Sequence, residues 1–173
     1  MCTIPISQCT YIEGMATKFR LTNAKPVYVP MLPGKTLSCD QSPSTPAETQ
    51  EMSKIPYGNM IGHVLWPVMI SHPDAIFTIT ILSQFISNPG PAHIKALKCL
   101  ISYLYTTWNC WLTFSSKDTK ILVYTDADYA QQANCHSISG YCLIFWSRSN
   151  QLELKKTKYC YPFTNWSWIC QTH

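Results

Sequence analysis

Val123-Tyr124-Thr125-Asp126-Ala127-Asp128 sets a carboxylate at the end of an apolar run. Ile121, Val123 and Thr125 alternate with Leu122 and Tyr124, which predicts a strand buried on both faces, with Asp126 emerging where it stops. A carboxylate so placed can hold a hard divalent cation such as Mg²⁺, which takes oxygen ligands. Phosphodiester hydrolysis commonly uses two such ions held by several carboxylates. Asp128, two residues on, shares the side of Asp126 if the strand continues. The same spacing also fits an Asx turn that closes a strand and does no chemistry. His63, His72, His93, His136 and His173 include no pair three or four apart, so their spacing favours surface or core histidines over metal ligands. Lys95 and Lys98 are candidate phosphate contacts, or simply a solvated helix face. There is no Gly-rich phosphate loop and no nucleophile elbow.

The composition narrows the class. At 173 residues the chain suits one domain or parts of two. Hydrophobic residues at 46% can build a core, while charged residues at 13% fall well below the ~25% of an average soluble protein, so poor solubility is expected. A net charge of +4 is too small to announce nucleic-acid binding by itself. Nine cysteines, odd in number and without a C-x-x-C pair, read as reduced intracellular thiols rather than a zinc site or disulfide framework. Met1 to Gln8 lacks the features of a signal peptide, and no apolar run approaches the ~18 residues of a membrane span, so an intracellular protein without membrane contact is expected.

The elements that must position these residues follow from periodicity. Ser7 to Leu21 predicts an amphipathic helix through Tyr11, Ile12, Met15 and Phe19, with Gly14 its weak point. Thr22 to Lys54, rich in Pro, Ser and Thr, reads as an extended connector. Pro56 opens a helix through Met60, Ile61, Val64 and Leu65 that Pro67 should kink or stop. Ser71 as cap with Asp74 three residues later opens another, running to about Ile86 despite its β-branched residues. After the turn Asn88-Pro89-Gly90-Pro91 comes a helix with an apolar stripe of Ile94, Leu97, Ile101 and Leu104, Lys95 and Lys98 lying off it. Leu112 to Phe114, Lys120 to Thr125 and Gly140 to Trp146 predict three antiparallel strands, the last extended by the basic stretch Arg148 to Lys158.

Asp126-Ala127-Asp128-Tyr129-Ala130, followed by Ser137-Ile138-Ser139-Gly140-Tyr141, resembles the opening of the ribonuclease H domain of copia-type retrotransposon polyproteins. Upstream, Lys25-Pro26-Val27, Ile55-Pro56-Tyr57, His72-Pro73-Asp74, Leu82-Ser83-Gln84-Phe85, Ser87-Asn88-Pro89-Gly90-Pro91-Ala92-His93 and Tyr103-Leu104 resemble, in order, the end of the same family's reverse transcriptase. The likeness covers roughly residues 7 to 148. It implies an α+β fold, with a helical thumb and connection segment followed by a partial, incomplete antiparallel ribonuclease H-like sheet. The implied division is a thumb-like helix at 1–24, a connector at 25–54, connection helices at 55–107, the start of the ribonuclease H-like domain at 108–150 and a divergent tail at 151–173.

The resemblance also says what should be missing. The family's paired-aspartate polymerase box lies upstream of everything here, and no Asp-Asp pair replaces it. Asp126 matches the first ribonuclease H metal carboxylate, but the later Glu and Asp have no counterpart. The intact family uses Mg²⁺; this segment is expected to hold no cofactor, to be non-catalytic and to bind RNA-DNA hybrid or other nucleic acid weakly, with Lys95 and Lys98 as contacts. Further departures are Trp66-Pro67 within a helix, Trp111 for a glycine, Gln131 for a glycine and His136-Ser137 for an arginine pair. From about Gln151 the resemblance is expected to stop. Tyr159 to Trp168 can be encoded by bases that, read one position later, give Thr-Val-Thr-Leu-Ser-Pro-Thr-Gly-Ala-Gly. The family has Thr-Val-Ala-Leu-Ser-Ser-Thr-Glu-Ala-Glu there, so a frameshift near residues 148 to 152 accounts for the lost Glu and the aromatic tail.

Overall fold

The computed structural model describes residues 3–32, 34, 36–110, 112–115, 121–128, 137–145 and 148–157. The chain divides into a helical unit, Ser7–Trp111, and a second unit of Met1–Ile6 with Leu112–His173. The helical unit begins with α1, Cys9–Lys18, whose Ile12, Met15 and Ala16 face inward at helical spacing. It closes in a Schellman turn: Arg20 takes the left-handed conformation at φ 57°, and the N–H groups of Arg20 and Leu21 reach back to the carbonyls of Thr17 and Ala16 at 3.1 and 2.9 Å.

The stretch expected to be an extended connector holds a helix instead. A 3₁₀ turn at Cys39–Gln41 is followed by α2, Pro46–Ser53. Thr45 caps α2 by accepting from the Glu48 N–H at 3.4 Å, and the Glu48 carboxylate accepts from the Thr45 and Ser44 N–H groups at 3.4 and 3.2 Å. Pro46 sits at the first helical position, where its missing donor costs nothing and its fixed φ helps.

Helix α3, Tyr57–Ser71, buries Tyr57, Met60, Ile61, Val64, Pro67, Val68 and Ser71. The helix does not stop at Pro67. A proline inside a helix forfeits one hydrogen bond and crowds the preceding turn, at ~3 kcal/mol or more. Here its ring lies fully buried in the inner face, and the Ser71 hydroxyl donates to the Pro67 carbonyl at 3.0 Å. Ser71 therefore ends α3 rather than capping the next helix. A 3₁₀ turn at Pro73–Ala75 leads into α4, Ile76–Ser83, which has no side-chain cap and stops short of the expected Ile86. Its β-branched run is helical because Ile76, Ile79 and Leu82 all bury. Tertiary packing overrides strand propensity here.

Helix α5, Pro91–Thr106, packs against α1, α3 and α4 through Ile94, Leu97, Leu100, Ile101 and Leu104. Burying each such side chain contributes about 1.5–3 kcal/mol.

In the second unit, β1 (Thr3–Ile6) pairs antiparallel with β2 (Leu112–Ser115), Ile4 opposite Phe114. Leu112 to Phe114 thus joins a strand placed where the chain's start was read as part of a helical segment, not the other two expected strands. Strands β3 (Ile121–Asp128), β4 (Ser137–Phe145) and β5 (Arg148–Thr157) form a separate antiparallel sheet in that order. Strand β5 runs across the boundary expected at residue 150. Val123, Tyr124 and Thr125 are exposed, so β3 is not buried on both faces as expected. Helices in one unit and antiparallel strands in the other make the fold α+β.

Two glycines give opposite expectations. A Cβ on Gly90 would stand 1.9 Å from the Gln41 carbonyl oxygen, whereas one on Gly14 meets nothing within 4 Å. Gly90→Ala should lower the urea midpoint by the equivalent of ~1–3 kcal/mol, and Gly14→Ala should raise it by up to ~1 kcal/mol. Equal effects of the two substitutions would contradict this packing.

Candidate functional site

Asp126 lies inside β3, two residues before its end, rather than where a strand stops; its backbone is opposite Gly140 and its side chain lies outside what is described. Lys95 and Lys98 are exposed on α5 in the helical unit. The residues singled out for metal and phosphate chemistry therefore belong to separate compact units. Lys95 also lines a cavity of about 40 Å³ with Pro30, Met31, Leu32, Leu37, Ala96 and Cys99, which is apolar and too small for a nucleotide. Among the described residues no three His, Cys, Asp or Glu side chains gather to hold a metal ion.

The polar groups that the helical unit does bring together are histidine-centred. His63 on α3 meets α1: its Nε2 lies 2.7 Å from the Lys18 ammonium and its Nδ1 3.0 Å from the Tyr11 hydroxyl, with Phe19 edge-on. An ammonium can only donate, so Nε2 accepts and Nδ1–H donates to Tyr11. His136 and His173 lie outside the described residues.

His93 is fully buried in the first turn of α5. The Gly90 N–H donates to its Nδ1 at 2.9 Å, Nε2–H donates to the Ser38 carbonyl at 3.2 Å, and the ring stacks on Phe85 at 3.9 Å. That set uses both nitrogens of a neutral imidazole. Burial holds its pKa below the ordinary histidine value, against an opposing pull from the Ser38 carbonyl.

His72 closes the other end of the helical bundle. Its Nδ1 lies 2.8 Å from the Ser71 hydroxyl, and its Nε2 lies 3.1 and 3.3 Å from the hydroxyl and carbonyl of Thr107. Burial lowers its pKa too, against opposing pulls from the Thr107 carbonyl and Asp74. Beside it the Tyr103 hydroxyl donates to Asp74. Burial and then that carboxylate push the phenol well above its usual range. Ser71, His72 and Asp74 are residue types of nucleophilic catalysis, yet Ser71 and His72 are buried and their polar atoms are taken up in tying α3 to the end of α5. These partners lie up to 55 residues apart in sequence, and spacing gave no signal for them.

Compared with known proteins, the chain is 35% identical over 141 residues to the retrovirus-related Pol polyprotein from transposon TNT 1-94 of Nicotiana tabacum, covering 81% of this chain and 11% of that one. It is 36% identical over 92 residues to secreted RxLR effector protein 161 of Plasmopara viticola, covering 52% of this chain and 65% of that one. A transposon Ty5-1 protein of Saccharomyces cerevisiae is 26% identical over 161 residues, covering 92% of this chain and 50% of its own length. That last match leaves less of the chain unaligned than the tail beyond Gln151 contains, so the similarity runs past Gln151. No protein-family model matches. No solved structure matches. The chain corresponds in sequence to a short segment of retrotransposon Pol polyproteins. It spans about a tenth of the length of the plant Pol polyproteins it matches. Among the described residues no helix is long and apolar enough to cross a membrane.

The two buried imidazoles make a pH prediction. Both have folded pKa values below the ordinary 6.5, so the unfolded chain binds more protons as the medium is acidified. Their contribution is fully present above about pH 6.5 and is lost as pH falls toward the lowered folded values. The urea midpoint should drop between pH 7 and pH 5, and the drop should shrink in His93→Gln. A midpoint that rises or holds on acidification would refute neutral burial of these rings.

Proposed function

We propose that this chain is the thumb and connection region of a copia-type reverse transcriptase joined to the opening of its ribonuclease H domain, and that it has no catalytic activity of its own. The observation that supports this most directly is the register of β3 on β4. Asp126 faces Gly140, so the two motifs that resemble the ribonuclease H opening are partners across one antiparallel ladder. The upstream motifs fall on structural joints in the same collinear order. Asp74 of His72-Pro73-Asp74 accepts from Tyr103, and Gly90 with His93 caps α5.

The donor set does not fit a two-metal centre. Asp126 and Asp128 are the acidic residues of β3, on one face of one strand, and such a centre takes several carboxylates. Nucleotide addition has no paired-aspartate box in this sequence to support it. Weak, sequence-independent contact with RNA-DNA hybrid through exposed Lys95 and Lys98 is the interaction left to the segment. A second reading, a host-recruited interaction protein, draws on the likeness to the effector, whose match takes up most of that protein.

Purified protein given primed template, nucleotides and Mg²⁺ should incorporate nothing. It should leave the RNA of a hybrid intact, with Asp126→Asn indistinguishable from the parent, and bind hybrid with Kd in the ~10⁻⁴ to 10⁻⁶ M range. Hydrolysis abolished by Asp126→Asn, or submicromolar hybrid-selective binding, would overturn this assignment.

The tail is proposed to arise from a frameshift. Since the Ty5-1 similarity continues beyond Gln151 and the shifted reading begins at Tyr159, the shift point is to be sought between residues 148 and 159. Sequencing of the locus should show Leu-Ser-x-Thr-like coding in the shifted frame; its absence would remove the explanation.

A further inference from the structure

The two ends of the helical unit meet where Cys9 touches the turn that carries Cys110. Cys9, the first residue of α1, is half-buried, and its thiol donates to the Trp108 carbonyl at 3.2 Å across 99 residues of chain. Trp108 lies in the turn after α5, closed by the Cys110 N–H on the Thr107 carbonyl at 2.8 Å. Cys110 is thus two peptide units beyond the carbonyl that Cys9 touches, and its thiol is exposed. The turn folds Cys110 back to within ~7 Å of Thr107, beside the Trp108 carbonyl that Cys9 touches. A disulfide needs a Cα separation of ~4.4–6.8 Å. Joining the two sulfurs therefore calls for a side-chain rotation and a shift of the exposed turn. Cys39 is exposed as well, but lies on the 3₁₀ turn at the opposite end of α5.

We propose that Cys9 and Cys110 form a redox latch, joining under oxidation into a disulfide that ties the first turn of α1 to the turn after α5. Glutathione disulfide is a sufficient oxidant. The exposed Cys110 thiolate attacks it, forming a mixed disulfide and releasing one glutathione. The Cys9 thiolate then attacks the Cys110 sulfur and releases the second. The protein pair loses two electrons and two protons, and the glutathione disulfide is reduced to two glutathiones that carry those protons. The bridge closes a loop spanning nearly the whole helical unit, so it restricts the unfolded chain strongly.

The test is oxidation of the full chain with glutathione disulfide, followed by digestion without reduction and mass spectrometry. A linked Cys9–Cys110 peptide is expected, with a Tm higher by ~10 °C or more that dithiothreitol reverses. In Cys110→Ser both the peptide and the Tm gain should vanish, while Cys39→Ser retains them. Recovery of Cys9 and Cys110 from the native chain as free thiols, as glutathione adducts or in other pairings would overturn the proposal. Mapping of the unsubstituted chain decides the matter even where a serine variant fails to fold.

Discussion

The helical unit depends on a close approach of backbone to backbone. At Gly90 the space that a side chain would fill is taken by the Gln41 carbonyl, which brings the Cys39–Gln41 turn directly against the start of α5. His93 bridges the same junction from Gly90 to Ser38, and the Ser42 hydroxyl donates to the Asn88 carbonyl at 2.8 Å. At the far end of α5, the Val27 N–H donates to the Thr106 hydroxyl at 3.1 Å. The stretch between α1 and α3 is therefore strapped along α5 at both ends, with Pro30, Met31, Leu32 and Leu37 along its side. It is part of the packed unit, and α5 owes its buried position partly to it.

How much of this was legible depends on whether the cause is local. Helices α1, α3 and α5 repeat apolar residues at the helical period, and that signal alone places Ile12 with Met15, Met60 with Val64, and Ile94 with Leu97 and Ile101 in the core. Proline misleads twice, at Pro46 and Pro67, because one residue type can either open a helix or sit inside one. Pro46 starts a helix and Pro67 fills an inner helical face, while Pro91 follows a turn and opens α5. The capping signal Thr45-Pro46-Ala47-Glu48 is local and was present to be read, but the surrounding Pro, Ser and Thr density masked it. Pro67 is different in kind, since only the fit of its ring against the core decides that a helix survives it.

The candidate site was less legible than the fold. Sequence motifs point to Asp126 and the lysines of α5, while the polar groups that pair across the helical unit include Tyr103 with Asp74, His72 with Thr107 and His93 with Ser38. Each pair joins different parts of the fold, so no spacing rule finds it. A buried polar group left unpaired costs ~1–3 kcal/mol. These rings are tolerated because each ring nitrogen has a partner, and the arrangement holds helices together rather than presenting a reactive atom.

The strand register offers a parallel argument about what such a segment can keep when individual side chains change. Side chains alternate along a strand, so a slip of one residue between β3 and β4 would move every side chain of β3 to the other face relative to its partner. The pairing of Asp126 with Gly140 continues without interruption from Ile121 opposite Phe145 to Asp128 opposite Ile138. The irregularity falls instead between β4 and β5, at Leu143 and Ile144. Backbone pairing depends on a whole ladder of hydrogen bonds and tolerates the loss of any one side chain, whereas a metal centre fails when one of its few carboxylates goes. Under the proposed reading, that asymmetry is why the sheet's opening strands remain in register around Asp126 in a segment that carries out no hydrolysis.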